Sequence, residues 1–299
     1  MNPRTRTRVG SAPDSWGVWF PEDPHQTTWT RFLDELALAE YGWLELGPYG
    51  FLPTDPEVLR EELGRRNLKL SGGTAGGPLH IREAHASIRK ELLQVGHLAA
   101  SQGAQYVVFL PAMYRDLHNG NLLEPADLDA DGRRALVEGA TELARALHEE
   151  TGTRFVFHPH AETHVETDEQ VAAFLADTDP DLVGLCLDTG HVAYRHGDTG
   201  RLMREYAERI WYVHLKQVDP QILDRADREQ LPFATAVQLG VMCEPPQGVP
   251  SLQEIGEGLA HLPDDTFVIV EQDMYPCSPD HPLPVASRTR RALRDSAIG

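Results

Sequence analysis

From Val9 onward the chain alternates short apolar or glycine-ended runs with longer segments whose apolar residues recur at helical spacing, and it does so eight times. Short runs of that kind read as strands and the longer segments as amphipathic helices, so the pattern is one of repeated strand–helix units. Strands are predicted at 9–12, 43–46, 68–72, 106–110, 154–158, 183–187, 210–215 and 266–271. Helices are predicted around 29–40, 56–66, 80–102, 128–151, 167–177, 199–209, 252–261 and 285–294. Eight strands suggest closure, and the fold class is α/β. All 299 residues fit a single domain, because barrels of this build use about 250. Thr167-Asp168-Glu169-Gln170 reads as a helix start, while Gly64, Gly103 and Gly152 fall where helices would stop. Segment 218–250 is longer than a usual loop and carries a short helical piece near 224–239. It is expected to overhang the strand-end face.

The third quarter of the chain carries the chemistry. Apolar runs end in His158-Pro159-His160, in Asp188-Thr189-Gly190-His191, in His214-Leu215-Lys216 and in Glu271. In a parallel barrel functional groups sit where strands finish, so His158, Asp188, His214 and Glu271 would converge on one point. A mixed His, Asp and Glu set suits Mn²⁺, Co²⁺, Fe²⁺, Zn²⁺ or Mg²⁺, and the lack of thiolates speaks for a catalytic rather than a structural ion. Lys216 lies two residues beyond His214 and shares its side, where it could steady an oxyanion or donate a proton. His191 leans over the same pocket as Asp188, and His160 shares a face with His158. Glu45, acidic within an apolar run, is expected to make a polar contact inside the pocket.

Other classes are disfavoured. A formal charge of −19 would repel a phosphate backbone, which excludes a nucleic-acid partner. With 41% hydrophobic residues, no apolar run approaches the ~20 residues needed to cross a bilayer, so no membrane partner is expected. The basic stretch from Met1 to Arg8 has no apolar segment behind it, and the cytoplasm is the expected compartment. Cys186, Cys243 and Cys277 are odd in number and widely spaced, which does not fit a disulfide framework. The run Gly72 to Gly77 lacks the order and the lysine of a nucleotide loop, and its glycines are expected to turn tightly or approach a ligand. There is no GxSxG, and Ser15 has no identifiable base.

His158-Pro159-His160 with Val165-Glu166-Thr167, Leu187-Asp188-Thr189-Gly190-His191, Val213-His214-Leu215-Lys216 and Val270-Glu271 together resemble the xylose-isomerase-like barrel superfamily of sugar isomerases and epimerases. Within it the chain resembles the inosose dehydratases, over nearly its whole length, with Ala12-Pro13, Trp16, Glu45 and Gly47 adding weaker matches. The resemblance implies a (β/α)8 TIM barrel binding a divalent metal, commonly Mn²⁺ or Co²⁺, at the strand ends. Asp188, His214 and Glu271 match metal-ligand positions. The fifth-strand ligand is His158, His160 or Glu166, where the related epimerases carry a Glu. That His departs from the paired carboxylates of an epimerase and suits a one-base elimination. Gln217 after Lys216, and Cys243 to Gly248 before the last strand, depart from the dehydratases and alter the loop that meets substrate.

The implied activity is elimination of water, or another β-substituent, from a keto-cyclitol or keto-sugar through an enediolate. Glu271 or His160 would be the base and Lys216 or His191 the proton donor. Trp16 would stack on the substrate ring, with Glu45, His160, Glu166 and Lys216 also touching it. The alternatives are a ketose isomerase or epimerase of the same superfamily and a barrel that binds a sugar or partner without turnover. A homo-oligomer is compatible with either.

Overall fold

The computed structural model describes residues 7–299, so most of the basic stretch read at the N-terminus lies outside the described residues. In chain order the strands are β1 (Arg8–Ser11), β2 (Trp43–Glu45), β3 (Lys69–Gly77), β4 (Tyr106–Pro111), β5 (Arg154–Phe157), β6 (Val183–Asp188), β7 (Ile210–Leu215), β8 (Gln217–Val218), β9 (Met242–Cys243) and β10 (Phe267–Val270). Eight of them close a parallel barrel in the order β1, β10, β7, β6, β5, β4, β3, β2, while β8 and β9 form a separate antiparallel pair. Helices at Trp29–Leu38, Pro56–Arg65, His85–Ser101, Ala130–Thr151, Asp168–Asp177, Thr199–Glu205, Leu252–Leu259 and Pro282–Asp295 follow the barrel strands in turn.

In β4, β5, β6 and β10, and in β7 from Tyr212 onward beyond a register irregularity at Trp211, alternate residues belong to different cores. Val107, Phe109, Phe155, Phe157, Leu185, Leu187, Val213, Val268 and Val270 pack in the large cluster shared with the helices. Val108, Val156, Cys186, Tyr212, Phe267 and Ile269 form a second cluster filling the barrel. Successive side chains of a strand point to opposite faces, so this parity continues past each strand end. Counting by twos, Val156 leads to His158, Cys186 to Asp188, Tyr212 to His214 and Lys216, Ile269 to Glu271, and Trp43 to Glu45. The fold therefore turns all six toward the barrel axis at one mouth.

Several local expectations need correction. The run from Gly72 to Gly77 does not turn. Its glycines pair with β4 along its length, and a Cβ at Gly73 would fall 2.4 Å from Val95 while one at Gly72 would crowd the Tyr106 carbonyl and the Tyr212 hydroxyl. Close packing inside and outside the barrel demands them. Gly64 lies within its helix, which runs on to Arg65, and the left-handed residue beyond is Asn67. The helix expected from residue 80 starts at His85, after a turn that leaves His80 facing Glu124. Segment 218–250 holds two helices, Pro220–Glu229 and Phe233–Gln238, because Gln230 adopts a left-handed conformation and Pro232 precedes the second. Within the same segment Met242 and Cys243 pair antiparallel with β8. Among the described residues, no helix is long and apolar enough to cross a membrane.

Candidate active site

A cavity of about 270 Å³ opens at that mouth, lined by Asp14, Trp19, Glu45, His160, Lys216 and Phe233 among others. His158, Asp188, His214 and Glu271 each offer one atom to a cluster whose members all lie within 4.8 Å of one another. The backbone arranges them one by one. Asp188 ends β6 and caps the helix Thr189–Tyr194, its Oδ1 accepting the amides of Gly190 at 2.7 Å and His191 at 2.8 Å. That leaves Oδ2 buried, without a hydrogen-bond partner, aimed at the cluster. His158 donates from Nδ1 to the Pro159 carbonyl, so its Nε2 is the nitrogen turned inward, 3.6 Å from Asp188 Oδ2. His214 donates from Nε2 to Glu45 Oε2 at 2.8 Å, so its Nδ1 faces Asp188 at 3.8 Å and Glu271 at 2.9 Å. His214 Nδ1, like Asp188 Oδ2, has no partner in hydrogen-bond geometry.

A metal-ligating imidazole normally gives its outer N–H to a carbonyl or carboxylate, which fixes the tautomer and bares the other nitrogen. His158 and His214 both meet that condition. Two orphaned inward atoms, two oriented imidazoles and two carboxylates make a donor set that fits a divalent cation. Burial disfavours charge on His214, but Cys186, Glu271 and Glu45 hold its imidazole well above the ordinary range. A cation between the donors would take the place of that proton. The same burial pulls Asp188 upward, yet Lys216, His191 and His158 hold its carboxyl well below the usual carboxylate range.

Lys216 completes the site. Its Nζ is 2.9 Å from Asp273 Oδ2, 3.3 Å from Asp188 Oδ2, 3.5 Å from Glu271 Oε2 and 3.3 Å from His191 Nε2. Burial works against its charge, but Asp188, Asp273, Glu271 and Asp14 hold the ammonium well above the ordinary lysine range. Thr189 fixes its height, donating its hydroxyl to the Lys216 carbonyl and accepting the Lys216 amide. Gly190 gives it room, because a Cβ there would fall 2.6 Å from Lys216 Cβ and Cγ. His160 and His191 pack ring to ring at 3.7 Å beside Phe233, which the 218–250 segment brings over the mouth. Burial, then His158 and Lys216, push His160 down to about 4, and burial with His160 and Lys216 pushes His191 well below its ordinary range.

Two expected substrate contacts lie elsewhere. Trp16 is 1% exposed, its ring set edge-on to Phe32 and its Nε1 donating to Glu35, so it cannot stack on a ligand. Trp19 takes the cavity position instead, stacked on Tyr275 and donating to Asp273. Glu166 lies outside the cavity lining, its carboxylate accepting from Tyr114 and the Glu162 amide and paired with Arg195. It is His158, rather than His160 or Glu166, that stands with the other three donors. Glu45 lines the cavity, but its two oxygens are occupied by His214 and Thr74. Asp14, Asp273, Trp19 and Phe233 carried no motif; Asp273 was legible only as the residue two beyond Glu271. Ser15 serves the backbone, bonding the Val270 carbonyl and the Gln272 amide. Gln217 holds the long segment through the Gly248 and Pro250 carbonyls.

The sequence profile of the family described as xylose isomerase-like TIM barrel matches residues 33–293. A curated inosose dehydratase from Geobacillus kaustophilus (strain HTA426) is 31% identical over 294 residues, covering 96% of this chain and 93% of that relative. Among solved structures, the IOLI protein with a binding zinc atom superposes with a TM-score of 0.73 at 17% identity, covering 98% of both chains. A probable 3-DHS dehydratase, AsbF, from Bacillus anthracis gives a TM-score of 0.73 at 13% identity, covering 96% of this chain and 99% of that one. The non-catalytic reading is set aside with these likenesses. The chain is an enzyme that belongs to the xylose isomerase-like TIM barrel family.

Proposed function

We propose that this enzyme is a divalent-metal-dependent lyase that eliminates water from a keto-cyclitol or keto-sugar, as the name inosose dehydratase describes for its relatives. The observation that carries this reading is the unequal equipment of the two sides of the cluster. Glu271 is a carboxylate with Lys216 Nζ 3.5 Å away, whereas the opposite position, on the end of β5, is an imidazole turned to the cluster. One base beside one cation suits loss of a proton and a hydroxyl better than symmetric removal and return of a proton.

His158, Asp188, His214 and Glu271 would hold the ion, and we propose Mn²⁺ or Co²⁺, with Zn²⁺, Fe²⁺ or Mg²⁺ also compatible with the donors. When bound, it would supply Lewis-acid polarisation of the ketone and a neighbouring hydroxyl. Glu271 takes the proton from the carbon beside the ketone, with His160, neutral at ordinary pH, as the alternative base. Lys216, held cationic beside Asp188, Asp273 and Glu271, gives a proton to the β-hydroxyl so that it leaves as water. Asp273 aims the Lys216 ammonium, and His191 flanks it. Asp14, pushed well above its ordinary range by burial, Glu271 and Asp273, is a second group able to give the leaving hydroxyl a proton. Trp19 and Phe233 present apolar faces to the ring carbons. We read residues 1–299 as one such domain working in the cytoplasm.

The test is to screen keto-inositols and 3-keto sugars with Mn²⁺ and to follow both product absorbance and exchange of the α-proton in heavy water. An unsaturated ketone or dione, with exchange lost in Glu271→Gln and loss of water impaired in Lys216→Ala, is expected. Exchange untouched by both substitutions would remove these residues from the mechanism. Exchange with an epimerised ketose and no absorbing product would instead establish the isomerase reading, which the proximity of Glu271 and Lys216 also allows.

A further inference from the structure

A second cluster lies outside the cavity, built by the segments that follow β3, β4 and β5. His80 Nε2 is 2.9 Å from Glu124 Oε2, and His164 Nε2 is 3.1 Å from Glu124 Oε1. The two rings meet edge to face with centroids 4.5 Å apart, and their side chains are only 7% and 3% exposed. Glu124, at 29%, keeps the third side open to solvent. None of the three lines the cavity at Lys216.

The hydrogen bonds around His164 leave a mismatch. Its Nδ1 donates to the Ala126 carbonyl at 3.0 Å, so a neutral ring has a bare Nε2. That lone pair then faces a carboxylate oxygen, and two acceptors in contact repel unless something positive stands between them. One bound cation would meet the need of His164 and of the carboxylate together, and His80 Nε2, 2.9 Å from the same carboxylate, would join them as a third donor. Two nitrogens and one carboxylate, the outer nitrogen of one imidazole tied to a carbonyl and one side left for water, make a set that zinc accepts.

We propose that His80, Glu124 and His164 form a second divalent-cation site, of zinc type, that pins together the loops after β3, β4 and β5. The ion replaces any proton held between His164 and Glu124 and leaves its remaining positions to water. Its role is structural. The segment it clamps carries Met113 and Leu117, which line the cavity, and is already joined to the β5 loop by the bridge between Met113 and Thr163.

The test uses full-length chain carrying Asp188→Asn and Glu271→Gln, which disables the first cluster, so that only the second can take an ion. After chelation and equilibration with Zn²⁺, this background should retain zinc at one equivalent per chain and melt at a higher temperature than without it. Adding Glu124→Gln, or separately His80→Gln, should abolish both the bound zinc and the shift. Two substitutions on different loops guard against one of them failing to fold. A background that binds no zinc, or zinc retained in both variants, would overturn the proposal. So would a melting temperature that depends on pH through Glu124 and is indifferent to zinc, because a proton would then fill the gap. Failure here leaves the lyase reading intact, and the reverse also holds.

Discussion

Glu45 at the end of β2 accepts a hydrogen bond from His214 at the end of β7, 2.8 Å long and joining residues 169 positions apart. Burial raises the Glu45 carboxyl, but His214, Thr74 and His158 bring it below its ordinary range, so it serves as a fixed anion behind the imidazole. Replacing it with glutamine keeps the shape and removes the charge that sets the His214 tautomer. Glu45→Gln should weaken metal binding by about 10–100-fold, measured by titration against a competing chelator. Unchanged affinity would show that the pair does not orient a ligand.

Gly190→Ala tests the room given to Lys216. A methyl 2.6 Å from Lys216 Cβ and Cγ must displace the ammonium from Asp273 and Asp188. Overpacking of this kind costs about 1–3 kcal/mol of stability. Turnover should fall more steeply than that, with metal content preserved, because the four donors keep their supports. A variant with normal turnover and a lowered melting temperature would separate Gly190 from the chemistry.

Removing the metal should lower both activity and melting temperature, and restoring Mn²⁺ or Co²⁺ should return both. An ion at 100 times its Kd stabilises the folded chain by about 2.7 kcal/mol. Calorimetry with and without chelator checks the size, and an Asp188→Asn chain should show a much smaller shift.

His160 sets a pH window for the metal-free chain. Its ring takes a proton at about 4 in the fold, against an ordinary value of 6.5. The unfolded chain therefore binds that proton first, and stability due to neutral His160 is complete above 6.5 and lost as pH falls toward 4. The ring is partly open to cavity water, so the loss is roughly 3 kcal/mol at most. Denaturant unfolding across this range should show the slope, and His160→Gln should flatten it.

The strands and the inward donors were legible because a buried parallel strand is a run of apolar residues whose parity carries past its end. His158, Asp188, His214, Lys216 and Glu271 all follow from that rule. Trp16 and Trp19 were not separable by it. Trp16 closes a 3-10 turn and Trp19 lies beyond Gly17, whose φ of 74° reverses the chain between them and decides which ring faces the core and which the cavity. Glu166 misled because its partners, Tyr114 and Arg195, come from distant loops that no local pattern announces. Asp273 sits in coil beyond β10, two residues past Glu271, and Asp14 sits in a single 3-10 turn too short for a period to be read. The glycines of β3 looked like a turn because composition alone does not reveal what presses against a missing side chain.

The odd–even alternation that aims the donors also dictates how such a gene can drift. Lengthening β7 by a single codon would swing His214 and Lys216 outward against the helices and present Val213 and Leu215 to the barrel mouth. Insertions in the connecting loops carry no such consequence, and within a strand an extra residue is harmless only where a bulge absorbs it, as at Ser71 in β3 and Trp211 in β7.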